Sequence, residues 1–158
     1  MSVCHNNFNP HNVIISKKTR NNVMEGSDFH RLIFSDEHCS TNGIYIHFGL
    51  KNITVEKYFN KIKCCFDNNS INNQTISSIK SIEKMILNKF KNIQNRTLSC
   101  RIQEQLQNGF IKLYGDDNVR YGKQNEIRFL LKISGIWASN QVNDFGLTFR
   151  FFIFNNQF

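Results

Sequence analysis

The chain reads as a mainly β domain, a barrel of short strands with one amphipathic helix, and three features of the sequence predict it. Residues 126–154 alternate apolar and polar side chains through two long runs joined by a polar turn, the period of two that half-buried strands require. Between about 75 and 93 the period changes to 3.6, the stripe of a helix with one buried face. The remaining apolar runs are short and bounded by Asn-, Ser- and Gly-rich stretches, the punctuation of strands.

The first 26 residues are polar and Asn-rich, carry Lys17, Lys18 and Arg20, and contain one apolar run, Val13-Ile14-Ile15. They are expected as a basic arm that adds an edge strand and phosphate contacts, ahead of a single domain over 27–158. A first strand is expected over 29–34, and the turn-like stretch 36–43 that follows ends in Asn42-Gly43, a hairpin signal. In the second strand Ile44, Ile46, Phe48 and Leu50 alternate with Tyr45, His47 and Gly49. A turn is expected near 51–54, and then a third strand within 55–66 with Ile62, Cys64 and Phe66 inward and Lys61 and Lys63 outward.

The helix stripe is Ile76, Ile79, Ile82, Ile86, Phe90 and Ile93, with Asn73 or Thr75 as the expected cap. Lys80, Lys84, Lys89 and Lys91 decorate its solvated side. Two more strands are expected at 98–103 and 110–114, separated by Gln107-Asn108-Gly109. In the second of these Phe110, Lys112 and Tyr114 face outward, an aromatic, a cation and an aromatic on one side of a strand. The closing hairpin turns Ile127, Phe129, Leu131 and Ile133 inward against Leu147, Phe149, Phe151 and Ile153. Its other face carries Arg128, Lys132, Arg150, Phe152 and Phe154.

A chain of 158 residues is enough for one domain that buries roughly 70% of its unfolded surface. Its 20 Lys and Arg against 12 Asp and Glu, a formal charge of +8, favour a polyanionic partner. Aromatics make up 13% of the residues, with 15 Phe and one Trp. The abundance of Asn, Ile, Lys and Phe beside a single Pro is the codon bias of an AT-rich genome, such as that of a virus or plasmid. Five cysteines, Cys4, Cys39, Cys64, Cys65 and Cys100, show no paired C-x-x-C spacing and are expected reduced. Cys64 and Cys65 are adjacent, so one of them faces the core. No apolar run approaches a membrane span and the N-terminal stretch has no apolar signal core, so an intracellular protein is expected.

Local catalytic motifs are sparse. Tyr114-Gly115-Asp116-Asp117-Asn118 resembles the Gly-Asp-Asp hairpin of RNA-dependent polymerases, whose aspartates bind two metals, but the chain is too short for the rest of a polymerase, and turn propensity alone accounts for the motif. Cys4, His5, His11, His38 and Cys39 are metal-capable side chains without zinc-site spacing. No Gly-rich phosphate loop or nucleophile motif is present, and no cofactor is expected.

The distributed signal is stronger. Outward aromatics, Tyr45, Phe110, Tyr114, Trp137 and Phe152, occur on strands together with the outward cations Lys61, Lys63, Lys112, Arg128, Lys132 and Arg150. Stacking rings interleaved with phosphate-neutralising cations are what sequence-tolerant binding to single strands uses. The order of three strands, a helix and further strands resembles the oligonucleotide-binding (OB) fold, a Greek-key barrel with its helix between strands three and four. With its charge, the chain is similar to single-stranded DNA-binding proteins of viral, phage and plasmid type, though without the acidic C-terminal tail of the bacterial kind. The resemblance implies non-sequence-specific binding of single-stranded nucleic acid, DNA favoured over RNA, in replication or recombination. It implies no membrane partner, and self-association or replication proteins as further partners. A metal-dependent nuclease and a small viral structural protein are the alternatives.

Overall fold

The computed structural model describes residues 2–91, 95–114 and 119–154. The described residues form eleven strands and two α-helices. The strands are β1 (Val3–Cys4), β2 (Val13–Ile15), β3 (Thr19–Arg20), β4 (Ser27–Ser35), β5 (Ser40–Asn42), β6 (Ile44–Tyr58), β7 (Lys61–Phe66), β8 (Thr97–Ser99), β9 (Phe110–Tyr114), β10 (Gly122–Ser139) and β11 (Asp144–Ile153). The helices are α1 (Ser70–Lys91) and α2 (Arg101–Gln107). The mainly β class is as expected; the second helix is not.

The closing hairpin is the spine. β10 pairs antiparallel with β11 along one edge, from Phe129↔Ile153 to Ala138↔Phe145. Its other edge is shared: Gly122–Ile133 pairs with β6 and Gly135–Ser139 pairs with β4. The handover falls at an irregularity between Ile133 and Gly135. Gly135 has no side chain because none fits there. A Cβ would meet the Phe29 ring and would lie 2.5 Å from the His30 carbonyl oxygen. Outward from β6, the antiparallel order continues through β7 to β9, giving an open path β2-β4-β10-β6-β7-β9.

The alternation read from the sequence produces the core. Ile44, Ile46, Phe48 and Leu50 of β6 join Ile127, Phe129, Leu131 and Ile133 of β10, Ile62, Cys64 and Phe66 of β7, and Ile111 and Leu113 of β9, all buried. The apolar stripe of α1, from Ile76 to Phe90, closes over them. Phe90 packs on Phe145 at 4.9 Å and on His30 at 4.8 Å. Cys64 is the cysteine in the core, its thiol pushed by burial up to about 12. Phe149, expected in the core, is only half-buried.

Four local expectations are corrected. No turn interrupts 51–54: β6 runs through, and the hairpin to β7 turns at Phe59-Asn60 instead. At Asn52, φ 55 shifts the inward set from Leu50 to Ile53 and Val55, which is why the alternation appeared to stop. The Asn72 side chain holds this kink. It accepts from Lys51 N at 2.8 Å and donates to the oxygens of Lys51 and Asp67 at 2.8 and 2.9 Å.

The turn after β4 lies at residues 36–39, where Asp36 Oδ1 accepts from His38 N and Cys39 N. Residues 40–42 then return as β5 along β4, so Asn42-Gly43 is the exit to β6 rather than a hairpin turn. Helix α1 starts earlier than expected, with the Asn69 side chain accepting from Asn72 N at 2.8 Å, so neither Asn73 nor Thr75 is the cap. It still lies between the third and fourth expected strands.

Residues 98–103 are strand only to Ser99, because α2 begins at Arg101. Its cap comes from outside the segment: the Glu83 carboxylate of α1, fully buried, accepts from Ile102 N at 3.0 Å and Gln103 N at 2.8 Å. Within residues 2–26, β1 pairs parallel with β6, β2 pairs with β4 and buries Val13, and β3 pairs with β4.

Candidate functional site

The outward faces of β6, β7 and β9 carry one cluster. The ladders place Lys61 opposite both Tyr58 and Tyr114, Lys63 opposite Glu56 and Lys112, and Cys65 opposite Phe110. Because cross-strand partners share a face, these side chains form a small plate of alternating cations and rings. Lys63 Nζ lies 4.7 Å from the Phe110 ring and 5.7 Å from Tyr58. Lys112 lies 4.7 Å from Tyr58 and 5.1 Å from Phe110, and Lys61 lies 5.3 Å from Tyr114.

The plate extends onto β11. The Arg150 guanidinium lies over Tyr114 at 5.1 Å, although β9 and β11 share no ladder among the described residues. A cleft of about 240 Å³ runs between them, lined by Tyr114, Val119, Arg150 and Phe152 among others. Arg150 in turn stands opposite Lys132, whose Nζ lies 5.6 Å from the Tyr45 ring. Tyr114 is 62% exposed and Phe152 39%, so both side chains are open to solvent.

The electrostatics of this surface are unusual for a sheet. Lys63 stands directly opposite Lys112, and Lys132 directly opposite Arg150. Like charges so placed destabilise a ladder. Among the described residues no carboxylate lies within 4.0 Å of them, the one such ion pair being Lys18–Asp28, far along the chain in β3–β4 territory. Glu56 faces Lys63 in register, yet its carboxylate accepts the Cys65 thiol at 3.2 Å. Burial, then Glu56, pushes the Cys65 thiol up.

Nine of the residues expected from the sequence thus belong to one connected surface: Tyr45, Lys61, Lys63, Phe110, Lys112, Tyr114, Lys132, Arg150 and Phe152. Arg128 makes no ring contact with these residues; it lies on the same outward face of β10, two residues before Leu130, which stands opposite Phe152, and lines a further cavity with Ser2, His5, His47 and Glu126. Trp137 is corrected outright. It is only 2% exposed: the irregularity before Gly135 brings Ile136 and Ala138 into the core and leaves Trp137 on the opposite face, where the Arg101 guanidinium covers its ring at 4.5 Å.

The sequence reading missed Tyr58 and Phe59 because it placed a turn before them. Phe59 is 81% exposed at φ 54, a left-handed conformation uncommon for a bulky residue, and packs edge-on to Tyr58 at 5.0 Å. The continuing alternation of Ile53 and Val55 was the signal that would have found them.

Asp116 and Asp117 lie outside the described residues. Among the described residues no three His, Cys, Asp or Glu side chains gather as a metal site, and no helix is long and apolar enough to cross a membrane. In comparisons with protein families, curated proteins and solved structures, nothing matches the chain.

Proposed function

We propose that this protein binds single-stranded nucleic acid, DNA in preference to RNA, without sequence specificity, through the plate on β6, β7, β9 and β11. The observation that carries the reading is the two pairs of opposed cations, Lys63 with Lys112 and Lys132 with Arg150, with no carboxylate within 4.0 Å among the described residues and interleaved with exposed rings. A fold tolerates such repulsion most readily where an anion is to be received, and a phosphate backbone supplies one charge per nucleotide. Bases stack on Tyr114, Phe110, Tyr58 and Phe152, while Lys61, Lys63, Lys112, Lys132 and Arg150 neutralise phosphates. Stacking tolerates any base because every base has a π-face.

A barrel of the OB kind is part of the same proposal. Its support is the approach of β9 to β11 at Tyr114 and Arg150, which brings the last strand of the path against the strand that branches from β10. The binding chemistry stands without it. A role in replication or recombination, with self-association or replication proteins as partners, follows from the binding mode and not from any contact in the fold.

The test is fluorescence anisotropy of a labelled oligo-dT of about 30 nucleotides, long enough to cover several times the smallest site size. Saturable binding at low salt, with a duplex of equal length bound more weakly, is the expected result. Absence of any change at micromolar protein sinks the proposal. Cleavage of the oligonucleotide on adding Mg²⁺ would favour the nuclease alternative.

A further inference from the structure

We infer that the cavity over Trp137 binds a nucleotide-class ligand, an aromatic base carrying a phosphate. This cavity of about 600 Å³ is walled by β3, the loop after it, β4, β11 and the first residue of α2. Its volume falls in the range of sites for small organic ligands. On β11 it is lined by Leu147, Thr148 and Phe149, and none of the plate residues is among its lining. The inference therefore does not rest on strand binding.

The walls divide by chemistry. Phe29, Trp137, Leu147 and Phe149 give an apolar, largely aromatic floor. Arg20, Arg31 and Arg101 also line it, the Arg101 guanidinium over the Trp137 ring at 4.5 Å, and no carboxylate is among the described lining residues. The acid nearest in register, Asp28, stands opposite Arg20 in the ladder, but its carboxylate is engaged by Lys18 at 4.0 Å. Arginine presents a planar fork that matches phosphate oxygens two at a time, so the net chemistry of the rim is that of a phosphate site.

The floor is built rather than accidental. Trp137 is held under Arg101 on one side and against Gly146 on another, where a Cβ would lie 2.7 Å from the indole ring. Its Nε1–H is buried and finds no acceptor among the described residues, the kind of unsatisfied group that in a native fold calls for an explanation. The rim loop is likewise fixed, with Asn21 Oδ1 accepting from Val23 N at 3.0 Å and Met24 N at 3.1 Å.

The combination selects the ligand. Inorganic phosphate would leave the aromatic floor unused. A fatty acid would bring one carboxylate to three arginines and leave the amides of Asn21 and Asn22 facing methylene groups. A base offers a π-face to the half-buried rings of Phe29 and Phe149 and a mixed donor and acceptor edge to the amide of Asn22, and its phosphate takes the arginines. The ligand is either a free mononucleotide or the phosphorylated terminal nucleotide of a strand.

The chain has a single tryptophan, so Trp137 fluorescence, excited at the red edge of indole absorption, reports this cavity alone. Titration of the full chain with thymidine 5′-monophosphate is expected to give a saturable change, with thymidine and inorganic phosphate each at least about tenfold weaker, the loss of one charge-assisted contact or more. Arg31→Gln, or Arg20→Gln if that variant does not fold, is expected to weaken the nucleotide by a similar factor. Tyr114→Ala is expected to leave the titration unchanged, which separates this site from the plate.

A 5′-phosphorylated oligo-dT that perturbs Trp137 at lower concentration than both the monophosphate and the 5′-hydroxyl oligomer assigns the site to strand ends. Tighter response to the monophosphate assigns it to free nucleotides. A silent Trp137 at millimolar nucleotide, an equal response to thymidine and its monophosphate, or a response only to a fatty acid overturns the inference.

Discussion

Tyr114→Ala separates binding from folding. Tyr114 is 62% exposed, flanked by Lys61 at 5.3 Å and Arg150 at 5.1 Å, and stands on the strand that ends beside the cleft to Phe152. If a base stacks on its ring, truncation removes about 1–3 kcal/mol of binding free energy, a rise in Kd of roughly 5- to 150-fold. The folded state loses little. Its two cation–π contacts are at the surface, where they contribute about 0.5–1 kcal/mol each, and the cations regain water when the ring is removed. A loss near 1 kcal/mol shifts the thermal midpoint of a domain this size by about 2–4 °C. Anisotropy with labelled oligo-dT measures the first quantity and thermal unfolding followed by circular dichroism the second. Unchanged affinity would remove Tyr114 from the interface, and a midpoint lowered by much more than about 4 °C would mean that the ring supports the sheet instead.

Two predictions concern the scaffold that positions the plate. Burial raises the Glu83 carboxyl above its ordinary value of 4.5, against the opposing pull of the Ile102 and Gln103 amides. A carboxyl whose folded pKa is raised holds its proton more tightly when folded, so the stability it contributes is full below the ordinary carboxylate range and is lost as pH rises through the raised value. Unfolding midpoints of the wild type should therefore fall relative to Glu83→Gln as pH rises through that window; a difference that stays flat, or grows with pH, would contradict this sign. Asn72→Ala leaves three backbone groups, Lys51 N–H and the carbonyls of Lys51 and Asp67, without their partner. The cost is about 2–4 kcal/mol, a fall of roughly 4–16 °C in thermal midpoint, and a loss well under about 1 kcal/mol would show that water replaces the amide without penalty.

Periodicity made the spine of the fold legible. The inward sets of β6, β7 and β10 are the alternating residues that the sequence displays, and the stripe from Ile76 to Phe90 is the buried face of α1. What escaped was information carried by residues distant in sequence. Helix α2 has two buried residues of its own, Ile102 and Leu106, and its cap is Glu83, 19 positions upstream. A window over 98–107 shows the two apolar residues but not the cap that starts the helix. The kink at Asn52 hid the continuity of β6 because a single left-handed residue inverts the parity on which a strand is recognised. Trp137 failed for a different reason: the irregularity after Ile133 turns it off the core face, and Arg101 of α2 and Gly146 of β11 cover it there.

The surface was legible to the extent that ladders conserve faces. Phe110, Lys112 and Tyr114 share a side because they alternate on one strand, and Lys61 and Lys63 join them because β7 pairs with β9. That pairing spans the whole of α1 in sequence, so the convergence itself belonged to the tertiary fold. The cavity over Trp137 was invisible for the same cause: Arg20, Arg31 and Arg101 come from three separate elements.

The salt dependence of oligo-dT binding tests the central claim most directly, because it counts charges rather than contacts. Five cations, Lys61, Lys63, Lys112, Lys132 and Arg150, each neutralising one phosphate at about 0.7 per contact, give a slope of log K against log salt near −3.5. Lys112→Gln should make the slope shallower by about 0.7 while leaving the fold intact, since it removes a like-charge neighbour of Lys63 along with its own ring contacts. A slope near zero, or one that Lys112→Gln leaves unchanged, would contradict the assignment of this plate as the nucleic-acid interface.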